Sequence, residues 1–138
     1  MAPLSDKALK PITILMADDD EDDLMLTRDA FLENRLGNEL KFVRNGEELM
    51  DYLNHRGEYS ADNAPLPDLI LLDLNMPKKD GREALREIKS NDRFRQIPVV
   101  ILTTSKAEED IVRSYELGVN SFITKPVTFN DMIRITKA

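Results

Sequence analysis

Five short runs rich in Ile, Leu and Val constrain this chain more than any other feature. They cover residues 12–17, 69–72, 99–102 and 119–124, with a weaker run at 40–43. None shows the polar alternation of a strand with one wet face, so they read as strands covered on both sides. Between them lie stretches with helical spacing. Met25, Leu32 and Leu36 fall at i, i+7 and i+11, and Leu49 and Leu53 at i and i+4. Ala84, Leu85 and Ile88 share a face, as do Ile111, Val112 and Tyr115, and Phe129, Met132 and Ile133. Gly37, Gly57 and Gly118 stand where left-handed helix caps are wanted. Ser105 with Glu108, and Thr128 with Asp131, read as capping boxes opening the last two helices. The pattern is five β–α units, an α/β fold with a parallel sheet between helices and right-handed crossovers.

Ligands of open α/β sheets bind beyond the carboxyl ends of the strands. Those ends carry Asp18-Asp19-Asp20, then Asp73, then Thr103-Thr104-Ser105, then Lys125-Pro126. Carboxylates gathered there repel one another, by roughly 4 kcal/mol for two unit charges about 4 Å apart at an effective dielectric near 20. A hard divalent cation removes that cost, and an all-oxygen donor set suits Mg²⁺ rather than zinc or copper. With Lys125, such a cation makes a pocket for a dianionic phosphoryl group. Aspartate is a competent phosphoryl nucleophile, and positioning with charge neutralisation then supplies the catalysis. Each residue alone has a plainer reading: Asp20 or Asp22 as a helix N-cap, Lys-Pro as a turn. The conjunction of all of them does not.

Other functions are poorly supported. A chain of 138 residues makes one domain, and its net charge of −7 disfavours nucleic-acid binding. Arg82, Arg86, Arg93 and Arg95 are spread over a helix and its exit, and Lys78-Lys79 is an isolated basic pair. Cysteine is absent, which fits a reducing cytoplasm. No apolar run is long enough for a membrane span, and residues 1–10 read as a disordered lead-in to a domain over 11–138. The last helix stops after about three turns, so a longer natural chain is expected. His55 reads as a solvent-facing helix end, and Met76 as filling space in a loop.

The segments ILMADDD (14–20), LILLDLNMPKKDG (69–81), VVILTTS (99–105) and SFITKPV (121–127) together resemble the receiver domains of two-component response regulators. The resemblance runs from about residue 12 to the end. It implies the flavodoxin-like strand order 2-1-3-4-5, carried over from the family's chemotaxis member. It implies a non-enzymatic signalling switch in which Asp73 accepts a phosphoryl group from a histidine kinase. Asp18, Asp19, Asp73 and the Asn75 carbonyl would hold Mg²⁺. Thr103 and Lys125 would meet the phosphoryl group, Thr103 and Phe122 would form the switch, and Lys125–Pro126 would be cis. Asn75 and Ser105 stand where the family tunes phosphoryl lifetime.

The long segment 58–68 (EYSADNAPLPD) and the LTTS stretch look more narrowly like the small regulators paired with phytochrome-type kinases. That group implies a downstream protein partner and a homodimer through the fourth helix, fifth strand and fifth helix, here Tyr115, Phe122, Val127 and Phe129. Core packing is the plain reading of those four. A different class, an aspartyl-phosphate phosphohydrolase, would use Asp18 and Asp20 at their i, i+2 spacing. It usually carries a lid domain, for which this chain has no room. A degenerate receiver acting only as a binding module would have lost an acid or the lysine, and none is replaced.

Overall fold

The computed structural model describes residues 12–34, 39–74, 76, 78–103, 121–125, 127–128, 130–131 and 134. Five strands form one parallel sheet: β1 (Thr13–Ala17), β2 (Glu39–Val43), β3 (Leu69–Asp73), β4 (Val99–Thr103) and β5 (Ser121–Thr124), in the order β2-β1-β3-β4-β5. The described helices are α1 (Glu21–Asn34), α2 (Gly46–Asn54) and α3 (Gly81–Lys89). This is the flavodoxin-like arrangement expected.

The two-residue period of the strands sorts the core into two layers. Leu15, Ala17, Ile70, Leu72, Val99 and Ile101 pack with Leu49 and Leu53 of α2 and Ala84, Leu85 and Ile88 of α3. Ile14, Met16, Leu69, Leu71, Val100, Leu102 and Ile123 pack with Leu24 and Ala30 of α1. Both faces are thus covered, which is why the runs carry no polar alternation.

Two details of the helices depart from the spacing. Met25 is 59% exposed, while Leu24, Thr27 and Ala30 form the buried face of α1. Thr27 tolerates burial because its hydroxyl donates to the Asp23 carbonyl one turn back, at 2.8 Å. At the end of α2 the left-handed cap is His55 (φ 54°), not Gly57, although Gly57 also has positive φ (63°) two residues later. His55 lies exposed at the helix end as expected, yet its Nε2 is 2.8 Å from the Ala64 carbonyl, which ties the cap to the following segment. Gly37, Gly118, the Ser105–Glu108 box, Leu36 and the last two apolar helix faces lie outside the described residues. The Thr128–Asp131 box is formed reciprocally. The Asp131 amide donates to Thr128 Oγ1 at 3.1 Å, and the Thr128 amide donates to Asp131 Oδ2 at 3.0 Å.

The long segment before β3 folds back on α2. Tyr52 Oη donates to the Pro65 carbonyl at 2.9 Å, Tyr59 Oη donates to Glu48 Oε1 at 3.0 Å, and Ala64 is fully buried. Alpha-helix α2 in turn is seated on the loop after β3. The Gly46 amide donates to the Lys79 carbonyl at 3.0 Å, and a β-carbon on Gly46 would come within 2.1 Å of that oxygen. Met76 in this loop is buried in the α2–α3 layer.

Candidate functional site

Strand register brings the polar residues to one edge. Ala17 is level with Leu72, so Asp18 follows beside Asp73, and Asp73 is level with Leu102, one residue before Thr103. Thr103 is level with Thr124, which Lys125 follows. Parallel strands in this register therefore deliver four of the expected positions together.

At that edge a single ammonium meets three carboxylates. Lys125 Nζ is 2.9 Å from Asp73 Oδ2, 2.9 Å from Asp23 Oδ2 and 3.0 Å from Asp18 Oδ2. The bonds to Asp73 and Asp23 have hydrogen-bond geometry. Asp18 Oδ1 accepts the Asp20 amide at 2.9 Å, which tightens the turn into α1. Among the described residues, nothing hydrogen-bonds to Asp18 Oδ2, although it is buried, and Lys125 faces it only as an ion-pair partner.

The electrostatics follow from burial. Desolvation pushes the Asp18 carboxyl from 3.8 up to about 7, against the downward pull of the Asp20 amide and the Lys125 ammonium. Burial alone would lower Lys125, but its hydrogen bonds to Asp23 and Asp73 and its close pairing with the Asp18 carboxylate overcome it and hold the ammonium above its usual range.

Oxygens of Asp18, Asp19 and Asp73 lie within 4.8 Å of one another, close enough to share one metal ion. A buried, unsatisfied carboxylate oxygen beside a second buried acid fits a hard divalent cation. Asp20 does not join them. Its Oδ1 accepts the Asp22 amide at 2.9 Å and the Asp23 amide at 3.4 Å, capping α1 from an exposed position. Of the Asp18–Asp20 pair on which the phosphohydrolase alternative rests, Asp18 alone joins the converging acids.

Sequence reasoning overlooked Asp23. It stands within the acidic run 18–23, and one helical turn carries it back over the strand end, so its distance from Asp18 along the helix was the available signal. Phe122 is half-buried against the α2–α3 layer, and Val127 is buried in the opposite layer. Core packing therefore accounts for these two members of the expected dimer face. Tyr115 and Phe129 lie outside the described residues, as do Asn75, Ser105 and Pro126 with its peptide bond. Lys79 is not simply solvated; it pairs with Glu87 at 2.6 Å. A separate cavity of about 430 Å³, lined by the start of α2, residues 56–59 and Lys78, includes none of the clustered acids, and its Arg56 and Asp51 are paired at 3.3 Å.

A doubly wound sheet of this order, with acids and a lysine at its carboxyl edge, defines a receiver, and the chain belongs to the response regulator receiver domain family, which matches residues 14–137. It is 43% identical to the response regulator Rcp1 of Synechocystis over 134 residues, covering 97% of this chain and 90% of Rcp1. The Mn²⁺-bound structure of Rcp1 superposes with a TM-score of 0.75 at 44% identity, over 92% of this chain and 90% of that one. The bacteriophytochrome response regulator RtBRR is similar at 42% identity and TM-score 0.85, over 93% and 78% of the two chains. The phosphorylated cyanobacterial phytochrome response regulator RcpA is similar at 46% identity and TM-score 0.76, over 92% and 89%. Among the described residues no helix is long and apolar enough to cross a membrane.

Proposed function

We propose that this receiver accepts a phosphoryl group on Asp73 from the phosphohistidine of a sensor kinase, in a Mg²⁺-dependent reaction. The observation that carries the reading is Lys125 Nζ at 2.9 Å from Asp73 Oδ2, inside a cluster whose other buried acid has an unsatisfied oxygen. Asp18, Asp19 and Asp73 would hold the ion, with the Asn75 carbonyl as a further ligand. Bound there, Mg²⁺ supplies charge neutralisation for the incoming phosphoryl oxygens. An Asp73 carboxylate oxygen attacks phosphorus; the new P–O bond forms as the P–N bond breaks, and that electron pair leaves on the imidazole nitrogen. The carboxylate has no proton to lose, so no general base is required. Lys125 then pairs with the phosphoryl oxygens.

Thr103 and Phe122 form the switch. Thr103 ends β4 beside the acceptor, and Phe122 lies half-buried on the adjacent strand, so the two report on one another through neighbouring backbone. Phosphorylation biases an existing equilibrium between their conformers and so changes which protein partner binds. Similarity to Rcp1, RtBRR and RcpA supports a phytochrome-type kinase as the partner and, with it, a cytoplasmic location. A homodimer through the fourth helix, fifth strand and fifth helix is part of the same reading.

The test is incubation with acetyl phosphate and Mg²⁺, followed by intact mass. One phosphoryl group is expected on the wild type and none on Asp73→Asn. Undiminished gain by the variant would move the acceptor elsewhere.

A further inference from the structure

Lys125 has one partner that acceptor chemistry does not call for. Asp23 comes from the first turn of α1, 102 residues away in sequence, yet its bond to the ammonium is as short as that of Asp73. The Asp23 side chain is only 20% exposed, and its backbone carbonyl accepts the hydroxyl of the fully buried Thr27. Its position is therefore set by the helix and not by a flexible loop. Asp23 also stands outside the group of acids whose oxygens converge.

That separation matters because Lys125 and a divalent cation draw on the same carboxylates. Asp18 and Asp73 face the ammonium and also belong to the metal cluster. A cation held by them repels the ammonium and weakens its hold on both. A lysine stem is long and flexible, and once released its ammonium prefers water. Of the described carboxylates paired with Lys125, Asp23 alone lies outside the metal cluster.

We infer that Asp23 is a positioning residue, keeping the Lys125 ammonium beside the acceptor when a cation engages Asp18 and Asp73. The inference rests on Asp73 being the acceptor. Asp23 stands outside the converging acids and acts through its bond to Lys125. It also explains how one lysine serves a metal-free and a metal-bound site without leaving the pocket.

The experiment compares Asp23→Asn with Asp22→Asn, which removes the same charge from an exposed neighbour. Initial phosphorylation by acetyl phosphate at saturating Mg²⁺ should slow about three- to tenfold in Asp23→Asn, the scale of losing one charge-assisted bond. Asp22→Asn should change it less than about twofold, as a screened surface charge does. In a Lys125→Ala background, Asp23→Asn should have no further effect; with Lys125 present, Asp23→Glu should keep part of the rate that Asp23→Asn loses. A second readout is free of phosphorylation: with Mg²⁺ bound, acetic anhydride should label Lys125 faster in Asp23→Asn than in wild type. Equal rates for Asp23→Asn and Asp22→Asn, an undiminished effect without Lys125, or unchanged labelling would overturn the inference. Asp73→Asn separates the two ideas. If it still takes the phosphoryl group, the acceptor reading falls and the inference with it; if it does not, a silent Asp23→Asn removes Asp23 alone.

Discussion

Gly81 lies so close behind Asp73 that a β-carbon on it would come within 2.3 Å of the Asp73 carbonyl oxygen and 2.6 Å of the Leu74 Cα. Its amide donates to the Leu74 carbonyl at 3.0 Å, so α3 starts immediately beneath the end of β3. Gly81→Ala forces backbone, not a flexible side chain, to move. The variant should lose about 1–3 kcal/mol in urea unfolding, and, with Asp73 as the proposed acceptor, its phosphorylation by acetyl phosphate should slow as that residue is displaced. An unchanged unfolding midpoint would mean that the strand end yields freely.

Asp18 should make the protein less stable as pH rises when no divalent cation is present. Its carboxyl titrates near 7 in the folded protein against 3.8 normally, so the folded state binds this proton more tightly than the unfolded chain. Stability therefore drops between about pH 4 and about pH 7 and stays lowered above that window. Asp18→Asn should be more stable than wild type by on the order of 1 kcal/mol near pH 8 in chelator, with the gap closing toward pH 4. Adding Mg²⁺ should favour the wild type instead. A variant no more stable than wild type in chelator would contradict the burial argument.

Two tyrosines should titrate late. Burial raises Tyr52 to about 12, and burial together with the hydrogen bond to Glu48 raises Tyr59 as well. The folded protein keeps these protons where the unfolded chain loses them, so stability should decline as pH rises above about 10. Alkaline absorbance titration should find two of the three tyrosines delayed relative to denatured protein, and Tyr59→Phe should remove one of them. Ordinary titration of all three would show that the 58–68 segment does not cover α2.

Lys78 holds a left-handed backbone conformation (φ 62°) in the loop after β3, and it is exposed. A side chain there costs roughly 1–2 kcal/mol, so Lys78→Gly should stabilise the protein by about 1 kcal/mol after the added freedom of the unfolded chain is subtracted. Equilibrium unfolding in urea measures it; destabilisation would point to an unrecognised contact of the Lys78 side chain.

The sheet was legible because five runs of Ile, Leu and Val carried a two-sided burial signal. Most of the candidate site was legible because Asp73 and Thr103 end their strands and Asp18 and Lys125 directly follow theirs, where topology converges them. The buried face of α1 was not. Leu24, Met25 and Leu26 are consecutive and point three ways, so apolarity cannot say which is inside; Thr27, a polar residue made acceptable by its bond to Asp23, completes the face instead. Asp23 itself was hidden among five neighbouring acids, because its role is set by a lysine far along the chain. His55 shows the same limit. Its cap conformation is held by Ala64, a partner that only the folded loop supplies.

The seat of Gly46 on Lys79 leaves no compressible matter between helix α2 and the loop after β3. A side chain in that gap would act as a cushion, changing rotamer while the backbones stayed still. With backbone on backbone there is no slack. Any displacement of Lys79 must be carried as rigid-body movement into the first turn of α2, and onward to the tyrosine-latched segment that rides on it.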